Sequence, residues 1–260
     1  MIFLKTDEEI SFLREANQLV GRTLGEVAKW VRPGVTTKRL DEIAEEFIRD
    51  NGGVPGFKGY EGFPGTLCIE VNDVVVHGFP SDYVLKDGDI VGCDCGAVIH
   101  GFNGDSCYTF PVGNVSEDVL KLLRTTKESL YEGIAQAKAG NRVGHIGFAV
   151  QDYCERRRYA VVRELTGHGL GRGLHEDPEV PNYGKRGTGP LLRAGMVICI
   201  EPMINMGSKN VTIDSNGWTV RTRDHKCSAH YEHAVAIREE GTEILSTFDY
   251  VKEVLGDRFI

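Results

Sequence analysis

Val91-Gly92-Cys93-Asp94-Cys95-Gly96-Ala97-Val98 turns near Ile99–Gly101 and returns through Phe102-Asn103-Gly104-Asp105-Ser106. An aspartate amid small and apolar strand residues is unusual, because β-propensity and burial both disfavour it. Asp94 and Asp105 stand eleven residues apart. In an unbulged hairpin with an even-numbered loop, an odd separation sets both side chains on one face, opposite or diagonal. Two like charges so placed repel. A chain that keeps them there either shares a proton between the acids or holds a cation between them.

The same pattern recurs further along. Glu201 ends the apolar run Met196-Val197-Ile198-Cys199-Ile200, and Glu232 lies just before Ala234-Val235-Ala236-Ile237. Their separation is again odd, so two more carboxylates sit at the ends of strands that look buried. His168 lies in Thr166-Gly167-His168-Gly169-Leu170-Gly171-Arg172-Gly173, read here as a loop whose glycines allow close backbone approach. Arg172 and Leu174 stand where a third glycine would complete G-x-G-x-x-G, so this is no dinucleotide fingerprint. Taken singly, each acid is more often a solvated or capping residue, and the histidine a turn residue. Together the four carboxylates balance two divalent cations, and bridging carboxylates let five side chains hold ions ~3.5–4 Å apart. Oxygen donors with one imidazole suit Co, Mn, Fe or Zn, and spacing does not choose among them.

Around these strands the chain alternates helices and sheet. Thr6 with Glu9 forms a capping-box pattern, and Ile10, Leu13, Ala16, Val20 and Leu24 follow a helical period as far as Arg32-Pro33-Gly34. A second helix runs from Thr36/Thr37 to Asn51-Gly52-Gly53, then a loop rich in Gly, Pro and aromatics over 54–65. Strands are expected at Thr66–Val71, Val74–His77 and Asp89–Val98. Helices are expected again from Ser116 to Ala137 and from Val143 to about Ala160, followed by strands at Met196–Ile200, Trp218–Arg221 and Ala234–Ile237. Helix, helix, strands thus occurs twice. The spacing predicts a single α+β domain over 1–260, in halves of about 1–115 and 116–260, with helices backing a mainly antiparallel sheet.

Composition narrows the function classes. The 260 residues carry a net charge of −8, which argues against nucleic-acid binding. No apolar run approaches the ~20 residues of a membrane span, and Met1-Ile2-Phe3-Leu4 meets Lys5, Asp7, Glu8 and Glu9 with no leader pattern, so a cytoplasmic protein is expected. Seven cysteines, an odd number, read as reduced and buried thiols. Cys93, Cys95 and Cys107 contain no CxxC pair and flank Asp94 on a strand, which disfavours a thiolate zinc site.

At these residues the chain strongly resembles the type I methionine aminopeptidases, the short bacterial-like form with the pita-bread fold. The resemblance covers nearly the whole length, to about Thr247. It rests on Asn72-Asp73-Val74-Val75-Val76-His77-Gly78-Phe79-Pro80, Cys93-Asp94-Cys95-Gly96 with Gly104-Asp105, and Thr166-Gly167-His168-Gly169-Leu170-Gly171. It continues through Leu174-His175-Glu176-Asp177-Pro178, Ile200-Glu201-Pro202, Gly217-Trp218-Thr219 and Ser228-Ala229-His230-Tyr231-Glu232-His233.

The resemblance implies a pseudo-twofold curved sheet and a metal-dependent aminopeptidase. Such an enzyme removes the initiator methionine when the second residue is small, a bridging hydroxide attacking the scissile carbonyl. Asp94, Asp105, His168, Glu201 and Glu232 look like ligands of two divalent ions, with Glu201 also a proton carrier. His77 and His175 look like the two active-site histidines that are not ligands. Asn72, Val74 and Ser228 match a site for Na or K, and Tyr60, Phe63, Cys68, Leu174 and Trp218 match the methionine pocket. Implied partners are the N-terminal methionine of nascent polypeptides and, in passing, the ribosome; no DNA, no membrane and a monomer are expected. The basic run Arg156-Arg157-Arg158 reads first as a solvated helix face. His230 stands where the family has glutamine, and Leu174 where phenylalanine is common. Two rivals share the fold: an Xaa-Pro dipeptidase, which normally adds an amino-terminal domain, and a non-catalytic binding module, which normally loses ligands.

Overall fold

In the computed structural model, which describes residues 1–260, the first helix α1 (Asp7–Ala28) starts as its sequence dictates. The Thr6 hydroxyl accepts the Glu9 amide hydrogen, and the Glu9 carboxylate accepts that of Thr6. Thr36 caps α2 (Thr37–Asp50) in the same manner. Three short strands follow, β1 (Val54–Pro55), β2 (Leu67–Val71) and β3 (Val74–Val76), and then the long hairpin β4 (Ile90–Ile99) and β5 (Phe102–Pro111). The second half opens with α3 (Glu117–Ile134) and α4 (Val143–Glu155). It continues through β6 (Ala160–Val161), β7 (Thr166–Gly169), β8 (Glu176–Pro181), β9 (Val197–Ile200), β10 (Met203–Asn205) and β11 (Val211–Ile213). Next come β12 (Val220–Thr222), β13 (Ser228–His230), β14 (His233–Arg238) and β15 (Gly241–Ile244), and α5 (Asp249–Leu255) closes the order.

Every strand pairing is antiparallel. His100 and Gly101 join β4 to β5 with φ of 54° and 74°. A two-residue turn with both φ positive matches the natural twist of a hairpin. The ladder then runs without a bulge from Ile99↔Phe102 to Ile90↔Pro111. β1 and β2 line the other edge of β4, and the larger second sheet has the order β15-β14-β9-β7-β8.

A seam of hydrogen bonds ties β5 to the chain before β14. Ser106 Oγ donates to the Glu232 carbonyl (2.7 Å), the Glu232 amide to Cys107 O (3.0 Å), and the Tyr231 hydroxyl to Thr109 O (2.9 Å). Helices back these sheets. Leu19, Leu24, Leu122, Leu130 and Val150 share one core with Val91, Cys93, Cys95, Tyr108, Ile198 and Ile200. Alternation along β4 therefore turns Cys93 and Cys95 toward the helices and leaves Asp94 on the opposite face. α1 lies so close to the hairpin that a Cβ on Gly104 would come within 2.4 Å of the Ala16 carbonyl carbon. This is the α+β arrangement expected from the sequence, and no helix is long and apolar enough to cross a membrane.

Three local expectations need correction. The glycines around His168 do not form a loop: Thr166–Gly169 is strand β7, inside the sheet. A Cβ on Gly167 would lie 2.3 Å from Cys199 O, and one on Gly169 2.2 Å from Asp177 O, so neighbouring backbone sets the composition. α4 ends at Glu155 rather than near residue 160, because Arg158 turns left-handed (φ 68°) and leads into β6. Trp218 precedes its strand; its amide and that of Thr219 both donate to Asn216 Oδ1 at 3.0 Å, a side-chain-closed turn.

Candidate metal centre

The hairpin register pairs Asp94 with Cys107 and Asp105 with Gly96, so the two aspartates are diagonal neighbours on one face. α1 fixes the second of them: Asn17 Oδ1 accepts the Asp105 amide at 3.1 Å. Across the seam, His233 pairs with Ile200, and Glu232 and Glu201 lie one residue beyond that pair. Asn182 Nδ2 holds the Glu201 carbonyl at 2.9 Å. All four carboxylates and His168 line one cavity of about 570 Å³.

His168 shows how the cluster is used. Its Nδ1 contacts Gly169 O at 2.9 Å, which leaves Nε2 facing Glu201 Oε1 at 3.5 Å and Asp105 Oδ2 at 3.7 Å. Those separations are too long for good hydrogen bonds. They suit donors that share an ion through bonds of about 2.0–2.2 Å each. A ligating histidine normally gives its other ring N–H to a carbonyl or carboxylate. Asp94 Oδ1, Asp105 Oδ1 and Glu232 Oε1 are buried with no hydrogen-bond partner. Orphaned carboxylate oxygens in such a place call for a cation.

The electrostatics agree. Burial, then the Glu70 charge, pushes Asp94 up to about 7, although His230 pulls the other way. Burial raises Asp105 well above the usual carboxylate range, helped by Glu232 and Asp94; Glu201 is raised by burial and by Asp105, and Glu232 by burial and by Glu201. Burial also lowers His168 to about 3 and His77 to about 4, so both imidazoles are neutral at pH 7. Crowded acids that resist ionisation, beside an imidazole that resists protonation, form a donor set that fits divalent cations.

His175 and His77 stand at the cavity wall. The Tyr60 hydroxyl meets His175 Nδ1 at 3.0 Å, and the His175 ring stands edge-on to His168 with centroids 4.4 Å apart. His77 has φ 57° at the end of β3, and Trp218 stands edge-on to it at 6.1 Å. Tyr60, Phe63, Cys68, Leu174 and Trp218 all line the cavity, joined by Phe57, Val76, Leu165 and Met203, which sequence reasoning did not single out. It also passed over Cys199, whose Sγ comes within 4.8 Å of donor atoms of Asp105, His168 and Glu232. Burial, and then the nearby Glu232 and Asp105 charges, hold that thiol well above its usual pKa. The signal was available, since Cys199 lies on β9 only two residues before Glu201.

Asn72, Val74 and Ser228 gather at a separate place, where β3 meets β13. The Ser228 amide donates to Asn72 O at 2.9 Å, and Asn205, the cross-strand partner of Ser228, keeps a buried Oδ1 with no partner. Arg156 and Arg158 are exposed at the end of α4, away from the cavity lining.

Comparison with known proteins fits this centre. The profile of metallopeptidase family M24 matches residues 11–239. The methionine aminopeptidase of Clostridium perfringens is 54% identical over 246 residues, which is 95% of this chain and 99% of that one. Methionine aminopeptidase 1 of Bacillus subtilis is 50% identical with the same coverage. Among solved structures, methionine aminopeptidase from Rickettsia prowazekii superposes with a TM-score of 0.94 at 38% identity, covering 95% of this chain and all of that one. Xaa-Pro dipeptidase from Bacillus anthracis reaches a TM-score of 0.71 at 25% identity, and the match spans only 62% of its chain. With four carboxylates and one imidazole gathered under an apolar cavity, and near full-length identity of this order, the chain belongs to metallopeptidase family M24 and, within it, to the methionine aminopeptidases.

Proposed function

We propose that the protein removes the initiator methionine from polypeptides whose second residue is small. One observation carries this reading: the carboxylate–imidazole cluster opens into a cavity walled by Tyr60, Phe63, Cys68, Leu174 and Trp218. The cavity receives an unbranched, polarizable side chain, and methionine suits such a wall.

Asp94, Asp105, His168, Glu201 and Glu232 are the residues that hold two divalent ions in this reading. Such ions, when bound, polarise a carbonyl and lower the pKa of water toward neutrality. The remaining work falls to side chains. Glu201 takes a proton from the attacking water and delivers it to the leaving amine. His175, oriented by the Tyr60 hydroxyl, and His77, backed by Trp218, donate hydrogen bonds to the scissile amide and to the oxygen on which charge develops. Asn72, Val74 and Ser228 offer backbone oxygens to Na or K, where the orphaned Asn205 oxygen adds an acceptor. The reading treats 1–260 as one catalytic domain built from two similar halves. It places the enzyme in the cytoplasm, where initiator methionines are exposed, and takes the ribosome as a transient partner. The monomeric state rests on family likeness alone.

The test uses the metal-loaded protein with peptides Met-Ala-Ser and Met-Ile-Ser. A wide side chain beside the crowded centre overpacks it by about 1–3 kcal/mol, so Met-Ile-Ser should be cut roughly tenfold to a hundredfold more slowly. Equal rates would overturn the small-residue rule. Hydrolysis of Xaa-Pro dipeptides without cleavage of Met-Ala-Ser would transfer the function to the dipeptidase branch.

A further inference from the structure

His168 is not the only imidazole arranged to serve the cluster. His230 is buried, and its Nδ1 lies 3.0 and 3.3 Å from the two oxygens of Glu70, itself only 2% exposed. Cys107 Sγ donates to Glu70 Oε2 at 3.8 Å and helps fix that carboxylate. The His230 backbone is pinned on both sides by Thr109: its amide donates to Thr109 Oγ1 at 3.1 Å, and its carbonyl accepts from the same hydroxyl at 2.6 Å. The ring therefore has little freedom. Its Nε2 is buried, has no hydrogen-bond partner and lies 3.9 Å from Glu201 Oε2.

The two histidines treat Glu201 as mirror images. His168 Nε2 faces Oε1 at 3.5 Å and His230 Nε2 faces Oε2 at 3.9 Å. In each case the opposite ring nitrogen is held by an acceptor, Gly169 O for one and the Glu70 carboxylate for the other. A carboxylate behind a histidine, with the far nitrogen left bare, is the arrangement that orients a metal ligand. Neither Nε2 to oxygen distance is a hydrogen bond. Both fall within the span of two bonds of about 2.0–2.2 Å to a shared ion.

From this geometry we infer that His230 is a sixth protein ligand of the two-ion centre, oriented by Glu70. A second imidazole favours Zn, Co or Fe over Mn or Mg at the ion it serves. The inference rests on the two-ion reading above.

The full chain, stripped and reloaded with Zn²⁺, decides the matter by calorimetry and by zinc X-ray absorption, which counts imidazoles without reference to activity. Two equivalents of zinc with an average of about one imidazole per ion are expected, falling by half in His230→Gln. Glu70→Gln keeps the ligand but loses its orientation, and should weaken the second equivalent by about 10–100-fold. Two zinc ions with the same imidazole count in the parent and in His230→Gln would overturn the inference alone. Failure of the parent to take up a second equivalent would overturn the two-ion reading and the inference with it.

Discussion

The two aspartates and the two glutamates reach the same centre by different routes. Asp94 and Asp105 project from the middle of an unbroken ten-residue ladder, where backbone passes close by and a short side chain suffices. Glu201 and Glu232 come from one residue beyond the last pair of β9 and β14, outside the paired ladder. The hairpin pair is rigid because turn, register and α1 all fix it. The glutamate pair is held by fewer contacts, one from Asn182 to Glu201 and two between Glu232 and the Ser106–Cys107 seam.

The strongest way to break this comparison is to remove one acid from each pair. Asp105→Asn and Glu232→Gln should each lose more than the about 10–100-fold that disturbing a ligand's support costs, and each should lower bound metal with an unchanged circular dichroism spectrum. Full activity of either variant in metal-replete buffer would mean that the pairs do not form one centre. A smaller effect separates ligands from their neighbours. His175→Ala should cut the turnover number by about 10²–10³ while both ions stay bound. Loss of metal would instead move His175 into the ligand set.

The smallest effect concerns stability without metal. Asp94 titrates near 7 in the folded chain against an ordinary 3.8, chiefly through burial. A carboxyl raised on folding contributes stability below its unfolded value, and that contribution is lost as pH rises through the folded value. The metal-free protein should therefore melt higher at pH 5 than at pH 8, by several degrees. Asp94→Asn should lessen the slope, since Asp105, Glu201 and Glu232 are raised in the same direction, and saturating metal should remove it. A melting temperature that climbs with pH in the stripped protein would contradict the charge crowding.

The hairpin was legible because everything that fixes it is local: parity, a two-residue turn and an acid in apolar company lie within sixteen residues of sequence. The glutamate pair showed only as acids at strand ends, since their meeting depends on β9 finding β14 across the 202–232 connection. β7 was hidden because its glycines answer to Cys199 and Asp177 on other strands, which local reading takes for a loop. β1, β8 and α5 also escaped. Glu70 was missed because a lone acid in Cys68-Ile69-Glu70-Val71 gains meaning only when His230 arrives beside it.

The seam between β5 and the chain before β14 also sets an order in time. Asp94 and Asp105 are added before the halfway point of synthesis, whereas Glu201 and Glu232 come in the last quarter of the chain. Until Tyr231 and Glu232 bond to Cys107 and Thr109, the aspartates face each other with no cation cage around them. The four carboxylates are complete as a donor set only once these final strands are in place, so divalent ions bound there would join an early-made half of the chain to a late-made one.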